Sequence, residues 1–289
     1  MSTKTLSWKN HTLEFGKRTC IMGILNITPD SFSDGGSFIK KDTAVLHARK
    51  MVEAGADIID IGGESTRPFS EPVSSDKEIM RVLPVIEEIA NHVSVPISID
   101  TTKAEVAKKA LEAGASIIND VSAFRLDPGM AEIAAKYKVP VIIMHMKGTP
   151  KTMQVSPEYR DLVGEIKEFL ENAISDAETK GVLRSNIIID PGIGFGKTIE
   201  HNLKLIKQIY KFKDMGCPVL IGPSRKAFIR TILKKDSEKE LSPDQQVVET
   251  GTQATISAGI LNGADIVRVH DVANTFATVK VIDALRNVE

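Results

Sequence analysis

Eight short β-branched runs alternate along this chain with helical patterns, and one hexapeptide occurs three times. Together these predict an α/β fold, a parallel (β/α)8 (TIM) barrel preceded by a short N-terminal β-hairpin. The hexapeptide is Gly55-Ala56-Asp57-Ile58-Ile59-Asp60, which returns as Gly114-Ala115-Ser116-Ile117-Ile118-Asn119 and as Gly263-Ala264-Asp265-Ile266-Val267-Arg268. Interleaved with it is a second pattern, VPISID at 95–100, VPVIIMH at 139–145 and CPVLIGPS at 217–224. A doubly wound open sheet is the alternative, but it usually has fewer strands and places its functional glycines after the first one.

In chain order, residues 5–19 alternate apolar and polar positions around KNHT, the pattern of a hairpin. IMGILN at 21–26 opens the barrel, and 42–55 (DTAVLHARKMVEAG) has the three- and four-residue spacing of a helix. The first hexapeptide is then the second strand and VPISID the third. A helix over 103–114 leads to the fourth strand, the second hexapeptide. VPVIIMH and NIIID (186–190) are the fifth and sixth strands, and 201–212 (HNLKLIKQIYKF) is helical. CPVLIGPS and the third hexapeptide complete the ring. Gly55, Gly114 and Gly263 stand where a helix C-terminus favours a left-handed residue. KKDSEKELS at 234–242 reads as a solvated loop, and with no linker in sight residues 1–289 are expected to form a single domain.

The 289 residues are at the upper end for one domain, long enough to bury about three quarters of the unfolded surface. At 42% hydrophobic and 26% charged the composition is globular, with no low-complexity tract. A net charge of −1, with acids and bases mixed, argues against a nucleic-acid or anionic-membrane surface. No apolar run approaches the roughly 20 residues of a membrane helix, and the first residues carry no secretory pattern. Cys20 and Cys217 fit no metal or redox motif and are expected to pack as small hydrophobes. A cytoplasmic protein is the expectation.

The stretch IIIDPGIGFGKT at 187–198 looks like a phosphate-binding loop. That loop needs four residues between its glycines so that successive backbone N–H groups cradle a polyphosphate. Here Gly192 and Gly196 are three residues apart, and the place of the first glycine is taken by Pro191, which has no N–H. The dinucleotide pattern fails as well. The polar residue ending the strand, Asp190, is the better candidate.

Chemistry in such barrels sits at the C-terminal ends of the strands. In order, those ends are Asn26, the ESTRP loop (64–68), Asp100, Asn119, His145, Asp190, the Ser-Arg-Lys of 224–226, and Arg268 with His270. One such residue is more often a helix cap or turn former, but eight converging on one mouth are hard to explain that way. Arg268 and His270, two apart, share a face of the last strand and form a basic corner with Lys226, suited to phosphate. An ion pair between Arg268 and a strand-end acid is the lesser alternative. For His145, between Met144 and Met146, a hydrogen-bonded packing role weighs at least as much as a catalytic one. The loop 26–36 is polar and hinged by glycines, the composition of a lid.

Taken together, NITPDSFSDGG, DIGGESTRP, SIDT, INDVSA, MHMKGTPKTMQ, DPGIGFGK, GPSRK and RVHDV resemble, in order and along essentially the whole chain, the signatures of the dihydropteroate synthase family of folate biosynthesis. That family is a transferase, joining p-aminobenzoate to 6-hydroxymethyl-7,8-dihydropterin pyrophosphate with release of pyrophosphate. The resemblance implies that Asp190, Asp100, Asn119 and Lys226 bind the pterin and that Met144 and Phe195 sandwich its ring. It puts Asn26, Thr66, Arg67, Arg268 and His270 at the pyrophosphate, with Asn26 also meeting Mg2+. Phe32, Pro68 and Ser224 fall at the aminobenzoate, and Asp34 in the closing loop. Asp34, Lys226, Arg268 and His270 are the implied catalytic group. A homodimer is implied as well. Phe69-Ser70, Ala227 and Arg230 depart from the common pattern beside the aminobenzoate pocket. Two other readings compete. A methyltetrahydrofolate-dependent methyltransferase has no pyrophosphate to expel, which the Arg-x-His corner and the Ser-Arg-Lys motif count against. A non-catalytic binding protein of the same fold is opposed by the intact loop 26–36.

Overall fold

The structure, a computed structural model, describes residues 4–27, 37–65, 72–149, 153, 157–235 and 240–288, with only the backbone described over 37–41. Strands β1 (Lys4–Trp8) and β2 (His11–Phe15) pair antiparallel, with Leu6 opposite Leu13. Alternation buries Leu6, Trp8, Leu13 and Phe15 on one face and leaves the polar residues on the other. This is the expected hairpin.

Eight parallel strands follow: β3 (Cys20–Asn26), β4 (Ile58–Gly62), β5 (Ile97–Asp100), β6 (Ile117–Asp120), β7 (Val141–Met144), β8 (Ile187–Asp190), β9 (Leu220–Ile221) and β10 (Ile266–Val269). Their order is β8-β7-β6-β5-β4-β3-β10-β9. A parallel bridge between Ile189 and Val219, with the Ile189 N–H donating to Pro218 O at 3.0 Å, joins the two ends and closes the ring. The helices are α1 (Ser37–Glu53), α2 (Ser75–Ala90), α3 (Ala104–Glu112), α4 (Gly129–Tyr137), α5 (Leu162–Thr179), α6 (Ile199–Lys207), α7 (Ala227–Leu233), α8 (Gln246–Leu261) and α9 (Val272–Asn287).

Two expectations need adjustment. Among the described residues there are nine helices instead of eight, because the β9–β10 connection holds both α7 and α8 with the charge-rich loop between them. The helix expected through 212 stops at Lys207, where Gln208 at φ −115° leaves the α conformation and a 3-10 turn continues over Ile209–Met215. The three hexapeptide glycines adopt φ 104°, 120° and 106°, as the reading of helix ends required.

Inward side chains of a closed barrel stack in layers of four drawn from alternate strands. Following the register around the ring, Ile58, Ile117, Ile188 and Ile266 form one such layer, all of them fully buried. Above it, from the other four strands, lie Met22, Ser98, Ile142 and Leu220. The next layer is Asp60, Asn119, Asp190 and Arg268, two residues beyond each isoleucine on the same strands. The hexapeptide therefore has a physical meaning. Its fourth residue packs the core, where truncating an isoleucine to alanine costs about 2–5 kcal/mol. Its sixth faces the mouth.

Candidate active site

The polar layer is a connected floor. Asp60 is fully buried, and its Oδ2 accepts from Arg268 Nε at 2.6 Å and from Asn119 Nδ2 at 3.1 Å. Its Oδ1 has no hydrogen-bonding partner among the described residues. Arg268 Nη2 donates to Asp100 Oδ2 at 2.7 Å. The ion pair set aside as the lesser alternative for Arg268 is thus what the structure contains. The cause is the barrel's stagger, which makes residues on β4 and β10 neighbours in one layer. Nε and Nη2 are engaged in these bonds, and among the described residues Nη1 has no hydrogen-bonding partner, so that edge is left for another acceptor.

Crowding of these charges shifts their proton affinities. Burial pushes the Asp100 carboxyl up to about 7, with Arg268 pulling it back and Asp60 adding to the rise. Burial lowers Arg268, but Asp60 and Asp100 together outweigh it and the guanidinium ends above its ordinary value. Burial also raises Asp190, opposed by the Gly192 N–H and by Lys226. Lys226 is brought down to about 7 by its burial, with Asp190 acting the other way.

The glycine loop 192–196 wraps against the exit of β7. Its glycines have φ 72°, 83° and 64°. A Cβ on Gly192 would lie 1.9 Å from His145 O, and one on Gly194 would lie 2.4 Å from Lys226 Cδ. Side chains are excluded because the loop packs this tightly on the site. Three of its N–H groups already have protein acceptors: Gly192 donates to Asp190 Oδ1 and Gly194 to Asn202 Oδ1, each at 2.7 Å, and Phe195 to Gly192 O at 3.1 Å. They do not form a phosphate cradle. Lys197, where a phosphate loop would carry its lysine, is buried beneath the loop with Nζ 3.0 Å from His145 Nδ1 and donating to Phe195 O at 2.9 Å. Burial takes Lys197 well below its ordinary value and His145 down to about 2. His145, edge-on to Phe169 with ring centres 4.9 Å apart, is a packing residue.

Met144 and Phe195 join Val121, Met146 and Met153 in a small apolar cluster separate from the main core. Lys226 Nζ lies 3.9 Å over the Phe195 ring and donates to Ile193 O. Across the mouth, Ser224 Oγ is 2.9 Å from His270 Nδ1 and accepts the His270 backbone N–H at 3.3 Å. Asn26 and Asp100 flank Gly62 in register, and the missing side chain leaves a gap between them, 3.8 Å from Asn26 Oδ1.

Of the residues singled out in the sequence, Asn26, Asp100, Asn119, Met144, Asp190, Phe195, Ser224, Lys226, Arg268 and His270 stand at the strand ends or in the loops that follow. Phe32, Asp34, Thr66, Arg67 and Pro68, with Phe69 and Ser70, lie outside the described residues. Arg230 turns to Glu240 and Leu241 O, at 2.7 and 3.1 Å. Asp60 was not singled out, although it occupies the same hexapeptide position as Asn119 and Arg268. Also missed was the Lys103 cluster at the base of the ESTRP loop. Its Nζ bonds Glu64 and the fully buried Glu78, while Glu64 Oε1 accepts the Val73 N–H at 3.0 Å.

Among the described residues no group of three or more His, Cys, Asp or Glu is placed to hold a metal, and no helix is long and apolar enough to cross a membrane. Cys20 and Cys217 are fully buried free thiols, both raised by burial, Cys217 to about 11.

A family model described as pterin binding enzyme matches residues 22–270. The chain is 49% identical over 272 residues to the dihydropteroate synthase of Synechocystis sp., covering 94% of this chain and 92% of that one. Among solved structures, the Yersinia pestis dihydropteroate synthase in a sulfonamide drug complex superposes with a TM-score of 0.90 at 41% identity, over 98% of this chain and 100% of that one. The Xanthomonas albilineans dihydropteroate synthase with 4-aminobenzoic acid gives 0.89 at 40% identity, over 100% of both chains.

Proposed function

The chain belongs to the dihydropteroate synthases, a family of pterin-binding transferases, and from that premise we propose how its barrel mouth performs the family's reaction. The reaction condenses 6-hydroxymethyl-7,8-dihydropterin pyrophosphate with p-aminobenzoate to give 7,8-dihydropteroate and pyrophosphate. The observation that carries the assignment of roles is the layer Asp60, Asn119, Asp190 and Arg268, with carboxylates on one side and the cations Arg268 and Lys226 beside them.

Asp190, fixed through Oδ1 by the Gly192 N–H, accepts the N–H groups of the pterin's aminopyrimidinone edge. Asn119 and Asp100 extend that acceptor surface. The ring lies against Met144 and Phe195, with Lys226 at its other heteroatoms. The Nη1 edge of Arg268 and the ring of His270 donate to the pyrophosphate, whose charge grows as the C–O bond breaks. The bonding pair leaves on oxygen and a benzylic-type cation remains, conjugated to the pterin. The arylamine nitrogen, next to Ser224, gives its lone pair to that carbon and releases a proton to water. Mg2+ fits this site with Asn26 as its protein ligand: a hard cation that keeps its waters and takes substrate phosphate oxygens needs few protein atoms. Bound there it would neutralise phosphate charge. We further infer one working domain, a cytoplasmic location consistent with the two free thiols, and a homodimer, for which the exposed Val247, Leu261, Val281 and Leu285 on α8 and α9 offer apolar surface.

Incubation with Mg2+, the pterin pyrophosphate and p-aminobenzoate, followed by mass spectrometry, tests the reading. Equal amounts of dihydropteroate and pyrophosphate are expected. Pyrophosphate with the pterin alcohol alone, or no turnover, would overturn it.

A further inference from the structure

The Ser224-Arg225-Lys226 turn contains one residue to which no role has yet been given. Arg225 sits at φ 59°, a left-handed conformation that side-chain-bearing residues rarely adopt. Glycine would be easier there, so the arginine side chain itself has a use. Its backbone N–H donates to Thr252 Oγ1 at 3.1 Å, Nε to Glu249 Oε2 at 3.3 Å and Nη1 to Asp244 Oδ1 at 2.6 Å. Thr252 and Glu249 belong to α8, and Asp244 lies just before it.

The neighbours go the other way. Ser224 meets His270, and Lys226 reaches across the Phe195 ring to Ile193 O. The left-handed turn thus sends the middle side chain into α8 and the two flanking ones into the mouth. Glu249 is 5% exposed. Its Oε1 accepts Gln253 Nε2 at 2.6 Å, and Gln253 also donates to Thr275 in the first turn of α9, close after His270. A carboxylate this buried needs its cation, and Arg225 supplies it.

We propose that Arg225 is a positioning residue for the aminobenzoate half of the site, its guanidinium anchored on Glu249 and Asp244 so that Ser224 holds its place beside His270. The proposal rests on the functional reading above, in which Ser224 meets the aminobenzoate. Steady-state kinetics on Arg225→Ala, Arg225→Gly, Arg225→Lys, Glu249→Gln and the double variant Arg225→Gly/Glu249→Gln test it, with pterin pyrophosphate affinity and melting temperature measured alongside. The expected result is a rise in the aminobenzoate KM of roughly tenfold to a hundredfold for Arg225→Ala and Arg225→Gly, with pterin affinity nearly unchanged. Arg225→Lys should recover part of the loss. Glu249→Gln should reproduce part of it, and the double variant should be no worse than Arg225→Gly, since both changes remove one anchor. Wild-type KM in Arg225→Gly would overturn the proposal, leaving the position a backbone turn. A lower melting temperature with every kinetic constant intact, or additive losses in the double variant, would overturn it too. If Arg225→Ala does not fold, Glu249→Gln decides on its own. Absence of turnover in the unmodified chain would instead strike the functional reading.

Discussion

Replacing Asp190 by asparagine separates binding from folding. The side chain keeps its shape, and one oxygen remains to accept the Gly192 N–H now held at 2.7 Å. The other oxygen becomes an NH2 that points donors at donors on the pterin edge. Losing one partner of a buried, hydrogen-bonded charge pair costs about 2–4 kcal/mol, a fall in affinity of roughly thirtyfold to several hundredfold. Stability should move differently. Burial raises the folded-state pKa of Asp190 above its ordinary value, so in the window between the two the native state holds the proton more tightly than the unfolded chain does. Stability therefore falls as pH rises through that window, and the ionised group is a cost to the fold at neutral pH. Asparagine removes that cost. The expected outcome is weak pterin binding by titration calorimetry with a melting temperature at pH 7.5 no lower than that of the unmodified chain. Affinity within threefold of the parent would remove Asp190 from the pterin site. A large loss of melting temperature would show that the carboxylate holds the glycine loop instead.

Arg268→Ala should weaken the pterin pyrophosphate at least tenfold more than the unphosphorylated pterin alcohol, because the alcohol gives the guanidinium nothing to grip; equal losses in calorimetry would confine Arg268 to its carboxylates. Gly194→Ala combines φ 83° with a Cβ 2.4 Å from Lys226 Cδ, so kcat should fall tenfold or more, and unchanged kinetics would show that Lys226 need not stay where it is. The lowered Lys226, at about 7, means that between pH 7 and its ordinary value near 10.4 the unfolded chain binds the proton more readily. Stability attributable to this group therefore rises with pH across that window. Lys226→Met should flatten the slope of melting temperature against pH between 7 and 10, and an unaltered slope would contradict the assignment.

Strand ends were legible because the switch from apolar run to polar residue marks where each chain segment leaves the sheet. Asp100, Asn119, Asp190 and Arg268 were found that way. Asp60 escaped because β4 continues through Ile61 to Gly62 before it leaves the barrel, so the apolar-to-polar switch falls later, at the ESTRP loop. Comparing the hexapeptides position by position would have exposed it, since Asp60, Asn119 and Arg268 share the sixth place. Their mutual bonding could not be read in advance. Which residues meet across the ring depends on the stagger of the strands, a property of closure rather than of any local segment. Lys197 shows the same limit. Pro191 and the glycine spacing ruled out a phosphate cradle, but the burial of that lysine depends on His145, at the end of a different strand.

Under the proposed function, the position of Arg268 would let one mouth hold two ligand parts of opposite demand. A pterin edge rich in N–H donors asks for carboxylates, and a pyrophosphate is repelled by them. Asp60, Asp100 and Asp190 all belong to the two innermost polar tiers, where unscreened they would oppose an anion. Arg268 stands between Asp60 and Asp100 and donates one bond to each, at 2.6 and 2.7 Å. These bonds fix the guanidinium plane and offset much of the local negative charge. In the proposed reading its remaining edge, together with His270, then forms the donor side for the pyrophosphate. An arginine suits this place and a lysine would not, because only the planar fork can face two carboxylates and a phosphate at once. On this argument the ion pair and the phosphate contact do not compete: the first holds the guanidinium in the orientation that the second requires.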